Sequence, residues 1–520
     1  MRKLEKLQII KNVSSNGIAL GTNVLVGVFL SPFILHRLGD AAFGIWVLIF
    51  SITGYYGLFD LGIRSSVVRY VSKATATGDM EYASRIISTS LFSYTCIGAF
   101  VLLITVLVSV NIDTVFSIPA EFHATTRWLL LMVGSAVSLG FPLGISGGAL
   151  EALQRFDVMS LTSVATTLLR ALLIVIVLLH GYGLLTVAFI TVVLPIISAI
   201  IRALIAKRLL PVRLGFTYVD RKTFREIVNY GGITFITIVS ARLRFKSDEI
   251  VIGALLSSVA ITYFNIGARI VDYAGEVVDS LAQVLVPMSS HSDATGDVNR
   301  LRKILVAGNR FCAFIIFPIC AVLVILGKSV IEVWVGKKYV AQSYPVLLLM
   351  LLPSTLMLAQ AASGRVLFGM GKHRTWAIVT LMEGLANILL SILLVRPYGI
   401  VGDAVGTAIP LTATMIFFLP GHVCRKLAIP IRSLLREAYV LPLLVCVPTV
   451  VTLLLMKRWF VPHTYAQLAI HFTAAGAVYG GALLWVFASK RAMKIGKLRP
   501  GDAVPQTTAG IVVESHSQDI

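Results

Sequence analysis

Runs of about twenty apolar residues, separated by short polar segments, follow one another along almost the whole chain. A helix of this length crosses a hydrocarbon core of roughly 30 Å, and helices satisfy their own backbone groups inside lipid. The pattern therefore predicts fourteen transmembrane helices. The predicted spans are 15–36, 43–66, 86–110, 126–150, 158–180, 184–206, 230–256, 259–287, 306–326, 344–368, 375–395, 400–423, 437–456 and 465–488.

The polar segments between the runs contain a repeat. ATGD occurs at 76–79, after the second span, and again at 294–297, after the eighth. At the same offset Ser72 matches Ser290 and Ile86 matches Ile304. Because six is an even number, two six-span copies insert the same way up, which makes them parallel repeats of the kind typical of alternating-access transporters.

These observations predict an all-α polytopic membrane protein, built from two six-helix repeats followed by a helix pair. The predicted divisions are an N-terminal lobe at 1–206, a linker at 207–229, a C-terminal lobe at 230–424, the extra pair at 425–488 and a disordered tail at 489–520.

Composition and charge agree with a membrane location. Of the 520 residues 57% are hydrophobic and 13% are charged, against about 25% charged in soluble domains, and the mean hydropathy is +0.88. Roughly four times as many Lys and Arg residues fall on the side of the N-terminus as on the other side, which predicts that both termini are cytoplasmic. The net charge of +20 reflects this topology and attraction to anionic lipid, so a nucleic-acid partner is not indicated.

The seventh span is unusually charged, because Arg242, Arg244, Lys246, Asp248 and Glu249 lie along it. Each central charge costs about 2.5–3.5 kcal/mol on insertion, and each large apolar residue returns only about 0.3–0.6 kcal/mol. The segment is therefore unfavourable by several kcal/mol as a lipid-facing helix. We expect it to line a polar cavity or to pack against other helices.

Helical geometry divides these charges between two faces. Arg242 and Lys246 share one face, which we expect to line the cavity, whereas Arg244 and Asp248 lie nearly opposite and are predicted to form a structural ion pair against a neighbouring helix. The reverse assignment of the two faces is the alternative.

Two other spans carry charge patterns. In the eighth span Arg269, Asp272, Glu276 and Asp279 fall within an arc of about 80°, as expected for one polar stripe. In the second span Asp60 and Arg64 are spaced for a structural i, i+4 ion pair.

Three segments resemble a known family: LGDAAFGIWVL at 38–48, DLGIRSSVVRYVS at 60–72 and DEIVIGALLSSVAITYFNIGARIV at 248–271. They are similar to the repeat signatures of polysaccharide-export flippases, of the O-antigen and capsule type, in the multidrug/oligosaccharidyl-lipid/polysaccharide superfamily. The resemblance covers the chain apart from its tail. The C-terminal pair departs from twelve-span members and is similar to fourteen-span members such as lipid II flippases.

The resemblance implies two lobes around a central cavity that opens alternately to each side of a bacterial inner membrane. The implied substrate is a polyprenyl-diphosphate-linked oligosaccharide, with membrane lipids and polysaccharide polymerase machinery as partners. For such a cargo, Arg242, Lys246 and Arg269 are the expected ligands of the diphosphate. Asp272, Glu276 and Glu383 are the candidates for binding a coupling ion or for balancing charge.

Two other functions are open at this point. A cation-coupled multidrug antiporter of the same superfamily is one, although Arg242, Lys246 and Arg269 would repel cationic drugs. A membrane polysaccharide polymerase or ligase is the other, but the loops on the outer side are short. No motif indicates catalytic residues, a cofactor or a metal, since GKS at 327–329 lacks the upstream Gly of a P-loop and the five Cys residues form no C-x-x-C pair.

Overall fold

The computed structural model describes residues 2–489, with side chains except those of residues 2–16, 230–238, 240, 241 and 245. The described chain is helical and contains no strand. The predicted tail lies outside the described residues beyond Ser489, and the residue limits predicted for the domains stay a prediction.

The first lobe contains seven α-helices joined by short turns. They are α1 (Arg2–Leu38), α2 (Asp40–Gly54), α3 (Ile63–Thr77), α4 (Met80–Val115), α5 (His123–Ala152), α6 (Phe156–Leu179) and α7 (Leu184–Leu209).

The second lobe follows a linker at 210–220, and a helix pair completes the described chain. The second lobe comprises α8 (Arg221–Phe245), α9 (Asp248–Leu255), α10 (Ser258–Ala282), α11 (Leu285–Ala294), α12 (Val298–Trp334), α13 (Lys337–Ala359), α14 (Ala361–Gly369), α15 (Arg374–Ala413) and α16 (Leu419–Leu427). The pair is formed by α17 (Ile431–Leu435) with α18 (Leu441–Trp459), and by α19 (Tyr465–Ala488).

Eleven helical segments of the described chain are long and apolar enough to cross a membrane. One of them, Arg374–Leu427, is a hairpin, because Gly399 at φ 60° and ψ −145° reverses the direction of α15. The two arms run side by side, since the Thr407 hydroxyl oxygen lies 3.0 Å from Asn387 Oδ1. The seventh and eighth predicted spans are also helical, but their charges make them too polar to count by composition alone.

Several spans that the sequence predicts as continuous are broken in the structure. The second is interrupted at η1 (Tyr55–Asp60), the seventh between Phe245 and Asp248, the eighth after Ala282, and the tenth at Gln360. Discontinuous membrane helices leave backbone groups without helical partners, so they are tolerated where they face other protein or a cavity.

The two lobes are tightly joined at one end of the bundle. We call the end that carries residues 210–220 the linker face, and the opposite end, which carries Gly39 and Gly336, the far face. At the far face the apolar side chains of Leu48 and Ile49 pack with Ile252 and Phe264 of the second lobe in one core.

Polar contacts reinforce the closure of the far face. The Asp40 carboxylate accepts hydrogen bonds from Lys338 Nζ at 3.0 Å and from the Tyr339 hydroxyl at 2.5 Å. Gly44 allows α2 to approach α10 closely, because a Cβ at this position would overlap the backbone carbonyl of Ser258. We call the contacts of Asp40 with Lys338 and Tyr339 the far-face latch.

The linker and the start of α8 are bound to the first lobe at the linker face. The backbone N–H of Arg213 donates to Ser84 Oγ at 3.0 Å, and the Ser66 hydroxyl donates to the carbonyl oxygen of Ile227 at 2.9 Å. Asp220 caps α8 by accepting the backbone N–H of Thr223 at 2.9 Å, a bond that lowers the pKa of the Asp220 carboxyl.

The C-terminal end of α8 packs against the second lobe instead. There Leu243 meets Gly384 of α15, which has no side chain to keep the two helices apart. Helix α8 therefore contacts one lobe at its start and the other at its end.

The C-terminal pair packs on α12 at the outside of the second lobe. The Tyr479 hydroxyl donates to the carbonyl oxygen of Phe314 at 2.6 Å, and Leu453 and Ala475 pack with Leu326. Large apolar side chains such as Leu484 and Trp485 remain exposed on the outer surface, as expected for helices that contact lipid.

Candidate functional site

Arg242 lies where the second lobe faces the end of α2. The Tyr55 hydroxyl donates to the backbone carbonyl of Arg242 at 3.3 Å. The guanidinium lies beside Gly54 and Gly57, since a Cβ on either would be in van der Waals contact with a terminal nitrogen of Arg242, at 3.6 or 3.5 Å. The helix break that follows α2 in the first lobe therefore accommodates a cation of the second lobe.

Lys246 and Arg269 belong to the same region, where Tyr55 lies within electrostatic reach of both Arg242 and Glu249. Lys246 Nζ is 3.9 Å from Glu249, at the break between α8 and α9. Arg269 pairs with Glu276 at 3.5 Å and with Asp272 at 3.7 Å, and its guanidinium lies 4.4 Å from the ring centroid of Tyr273.

The cations and the acids of this region interact with one another across helices. Glu276 is within electrostatic reach of Lys246 as well as of Arg269, and Glu249 is within reach of Asp272. The set has three cations and three carboxylates, and we call it the inter-lobe charge cluster: Arg242, Lys246, Glu249, Arg269, Asp272 and Glu276.

The partner predicted for Arg244 is wrong. Arg244 has 7% of its surface exposed, and its guanidinium binds the Glu383 carboxylate of α15 in a bidentate pair. Asp248 instead accepts hydrogen bonds from Thr407 at 3.1 Å and from Asn387 at 3.5 Å. The helix break at Lys246 and Ser247 separates Arg244 from Asp248, so the i, i+4 geometry of a continuous helix does not apply. Glu383, predicted to bind a coupling ion or balance charge, is the partner of Arg244.

A carboxylate that sequence reasoning missed lies beside Asp248. Asp403, in the second arm of α15, is fully buried, and neither of its carboxylate oxygens has a hydrogen-bond partner in the described part of the chain. It lies within electrostatic reach of Asp248. A lone Asp in the predicted span 400–423 is a signal in itself, since intramembrane acids are usually functional. We call Asp248 and Asp403, with Asn387 and Thr407, the buried acid cluster.

The predicted pair of Asp60 with Arg64 is also replaced. Asp60 accepts the backbone N–H of Arg64 at 3.3 Å and the Tyr94 hydroxyl at 2.8 Å. The Arg64 guanidinium pairs with Glu151 of α5 at 3.3 Å. The turn at Leu61, with φ 52°, and at Gly62, with φ 74°, breaks the helix between the two residues, so both side chains find other partners.

Within the described residues no group of three or more His, Cys, Asp and Glu side chains has a geometry that could hold a metal ion. The cations and carboxylates of the inter-lobe charge cluster can instead bind an anion by exchanging internal ion pairs for pairs with the ligand. The buried acid cluster can take up positive charge, since two adjacent buried carboxylates are costly when both are ionised.

Comparison with known proteins identifies relatives of the whole arrangement. Residues 9–292 match the profile of the family described as polysaccharide biosynthesis protein. A Shigella flexneri protein provisionally named an O-antigen transporter is 20% identical over 80% of this chain and 99% of its own length. The Bacillus subtilis membrane protein EpsK, whose activity is uncharacterised, is 25% identical over 80% of this chain and 83% of its own.

Solved structures share the fold. The match to an inward closed structure of the lipid II flippase MurJ covers 91% of this chain and 98% of the MurJ chain, with a TM-score of 0.68 and 17% identity. An inward-facing multidrug transporter of the MATE family covers 78% of this chain and 94% of its own, with a TM-score of 0.65 and 13% identity.

Proposed function

The chain belongs to the family of polysaccharide biosynthesis proteins, and from this we propose that it is a flippase for polyprenyl-diphosphate-linked oligosaccharides. It moves the oligosaccharide from the inner to the outer leaflet of a bacterial inner membrane. The observations that support the proposal are the contact of Arg242 with Tyr55 of the first lobe and the position of Glu276 within electrostatic reach of both Lys246 and Arg269. A diphosphate cannot cross hydrocarbon unsolvated, and these three cations can replace its water.

The chemistry of the three cations suits a diphosphate. An Arg guanidinium can bind phosphate oxygens in a bidentate manner, and a Lys ammonium adds a point charge. In the structure Arg269 is held by Asp272 and Glu276 at 3.7 and 3.5 Å. These distances are longer than those of tight ion pairs, so a phosphate that approaches more closely can displace the carboxylates.

Alternating access requires that one face closes while the other opens. The far-face latch and the apolar inter-lobe core close the far face in this structure. We propose that the linker face is cytoplasmic, in agreement with the distribution of Lys and Arg. A state that is closed at the far face is the one that we expect to accept the headgroup from the cytoplasmic side.

We propose that the buried acid cluster couples transport to a proton or a small monovalent cation. Asp403 has no cationic partner in the described chain and Asp248 is hydrogen-bonded only to neutral groups. One added positive charge would relieve the repulsion between them. The cluster lies in α9 and in both arms of α15, so its charge can influence how these helices pack.

The test of the proposed function is deletion of the gene in its own bacterium. We expect lipid-linked oligosaccharide to accumulate on the cytoplasmic leaflet and surface polysaccharide to disappear, with both restored by the wild-type gene. An unchanged surface polysaccharide, together with increased sensitivity to cationic dyes, would favour a drug antiporter and would contradict the proposal.

A further inference from the structure

A partly open cavity with both polar and apolar lining lies in the second lobe. Its volume is about 230 Å³, compared with ~30 Å³ for one water molecule in the liquid, which is room for a single sugar ring. It lies at the break between α13 and α14, beside the start of α15. We call it the lobe pocket, lined among others by Asp279, Gln360, Gly364, Arg365, His373 and Trp376.

A buried hydrogen-bond acceptor in the lobe pocket lacks a partner. Gln360 is 7% exposed, and its Nε2 donates to the carbonyl oxygens of Met415 at 2.9 Å and Leu356 at 3.2 Å. These two acceptors fix the orientation of the amide. Its Oε1 therefore remains a buried acceptor with no partner in the described chain, a situation that native proteins avoid unless a ligand or water supplies the donor.

The charges around the lobe pocket cancel. Arg244 is paired with Glu383, and Arg365 is paired with Asp279 at 3.2 Å. Burial lowers the pKa of His373, so its imidazole is neutral at pH 7. A pocket without net charge is poorly suited to a diphosphate or to a cationic drug. It is suited to an uncharged ligand that carries many hydroxyl groups.

Aromatic residues and a glycine line the lobe pocket. The rings of Phe368 and His373 lie 4.7 Å apart between centroids, and Trp376 lines the same cavity. A Cβ on Gly364 would have Trp376 Nε1, at 3.9 Å, as its nearest neighbour. The absent side chain of Gly364 therefore keeps the wall open next to an indole N–H donor.

We propose that the lobe pocket binds one uncharged sugar ring, and that binding opens Gln360 Oε1, which is closed off in this structure, to a donating sugar hydroxyl. Naming the transported oligosaccharide as the source of this sugar rests on the proposed function, whereas sugar binding itself does not. Asp279 lies on the polar stripe of α10, ten residues after Arg269, which corresponds to about 15 Å along a helix. A headgroup at Arg269 would thus leave a following sugar within reach of the pocket.

The experiment measures binding of free, uncharged sugars by the full-length protein purified in detergent. Tritiated neutral hexoses, 6-deoxyhexoses and N-acetylhexosamines are the probes, and equilibrium dialysis is the readout. We expect saturable binding of at least one of them. Gly364→Leu fills the pocket and Gln360→Met removes the acceptor, and each should weaken binding at least tenfold.

Two control variants test whether sugar binding depends on the lobe pocket itself. Gly476→Leu introduces the same side chain on α19, where no atom lies within 4 Å of the added Cβ, and should bind sugar like the wild type. Gly480→Leu, also on α19 and with no atom within 4 Å of the added Cβ, should likewise bind sugar like the wild type. The melting temperatures of all variants show that they remain folded.

Absence of binding for every sugar, or undiminished binding by a folded Gly364→Leu variant, would overturn the proposal. Failure of the sugar-site proposal can be distinguished from failure of the proposed flippase function. If the pocket binds sugar but deletion of the gene leaves surface polysaccharide intact, then the sugar site stands and the flippase does not. If deletion traps lipid-linked oligosaccharide but the pocket binds no sugar, then the flippase function stands and the sugar site does not.

Discussion

At the residue scale, the three cations of the inter-lobe charge cluster are balanced by three carboxylates. Lys246 and Arg269 therefore keep acidic partners when no ligand is bound, which lowers the cost of holding charge inside a membrane. Arg269 combines this with a cation–π contact on Tyr273. Arg269 is therefore stabilised in the absence of a ligand and is still able to bind one.

Arg269→Ala and Arg242→Ala should abolish the rescue of a deletion strain without lowering membrane abundance. Each loses charge-assisted hydrogen bonds to the headgroup, worth about 1.5–3 kcal/mol or roughly ten- to hundredfold in affinity. Surface polysaccharide and immunoblots of membranes are the measurements. Arg269→Lys, which keeps the charge but not the bidentate geometry, should rescue partially. Full rescue by both alanine variants would refute the assignment.

Arg244→Ala should behave differently, because it leaves the buried Glu383 without its partner. Removing one member of a buried ion pair costs about 3–5 kcal/mol, so we expect a lower melting temperature and lower membrane abundance. The double variant Arg244→Met with Glu383→Leu replaces the pair with apolar packing and should recover most of the loss. Equal stability of Arg244→Ala and wild type would show that the pair is dispensable.

Asp403→Asn keeps the shape of a buried side chain while removing its charge. We expect an unchanged or higher melting temperature, together with a roughly tenfold or greater loss of transport, since coupling between sites is usually worth about 1–3 kcal/mol. Transport in vesicles with imposed pH or sodium gradients is the measurement, and Asp60→Asn serves as a carboxylate control outside the buried acid cluster. Transport that responds to both gradients as in the wild type would exclude Asp403 from coupling.

The residues of the candidate site differ in how far the sequence predicts them. Charge inside a span costs free energy wherever the span ends up, so Arg242, Lys246 and Arg269 can be selected from the sequence alone. Their partners cannot be selected in this way. Glu383 is far from Arg244 in sequence, so only the folded chain shows that the two are paired. Asp403 belongs to no spacing pattern, so only the folded chain shows that it lies beside Asp248.

At the scale of elements, the spans follow from apolar length but their interruptions do not. The break at Gln360 depends on carbonyl groups of α13 and of the π-helical turn Thr414–Phe418, which accept its amide. The break between α8 and α9 depends on charges that find partners across helices. Helix propensity depends only on the local sequence and not on contacts with other helices. The sequence therefore predicts the seventh span as one continuous helix.

Gly44→Ala should weaken the closure of the far face. The added Cβ overlaps the Ser258 carbonyl, and such overpacking costs about 1–3 kcal/mol, or roughly a five- to 150-fold shift toward separated lobes. The readout is maleimide labelling of Ser258→Cys, a position 1% exposed in this structure, followed by peptide mass spectrometry. Gly140→Ala, whose Cβ would meet no atom within 4 Å, is the control. Equal labelling rates would show that α2 and α10 need not separate.

At the scale of the whole molecule, the orientation proposed from the distribution of Lys and Arg can be tested independently of transport. Alkaline phosphatase fused after Gly181 or Pro462 should be active, because both positions lie at the far face and are expected to be periplasmic. Fusions after Gly215 or Lys372, at the linker face, should be inactive. The reversed pattern would invert the direction of the proposed cycle.

Helix α8 is held by different partners at its two ends. Near Ile227 it is bonded to the first lobe, whereas at Leu243 and Arg244 it is fixed to α15 of the second. A helix that is fixed to both lobes cannot move with both when they rotate apart. It must therefore twist, bend or lose one of its two sets of contacts. If the lobes rotate during transport as proposed, α8 must deform in each cycle, and substitutions that stiffen it should slow turnover for any substrate.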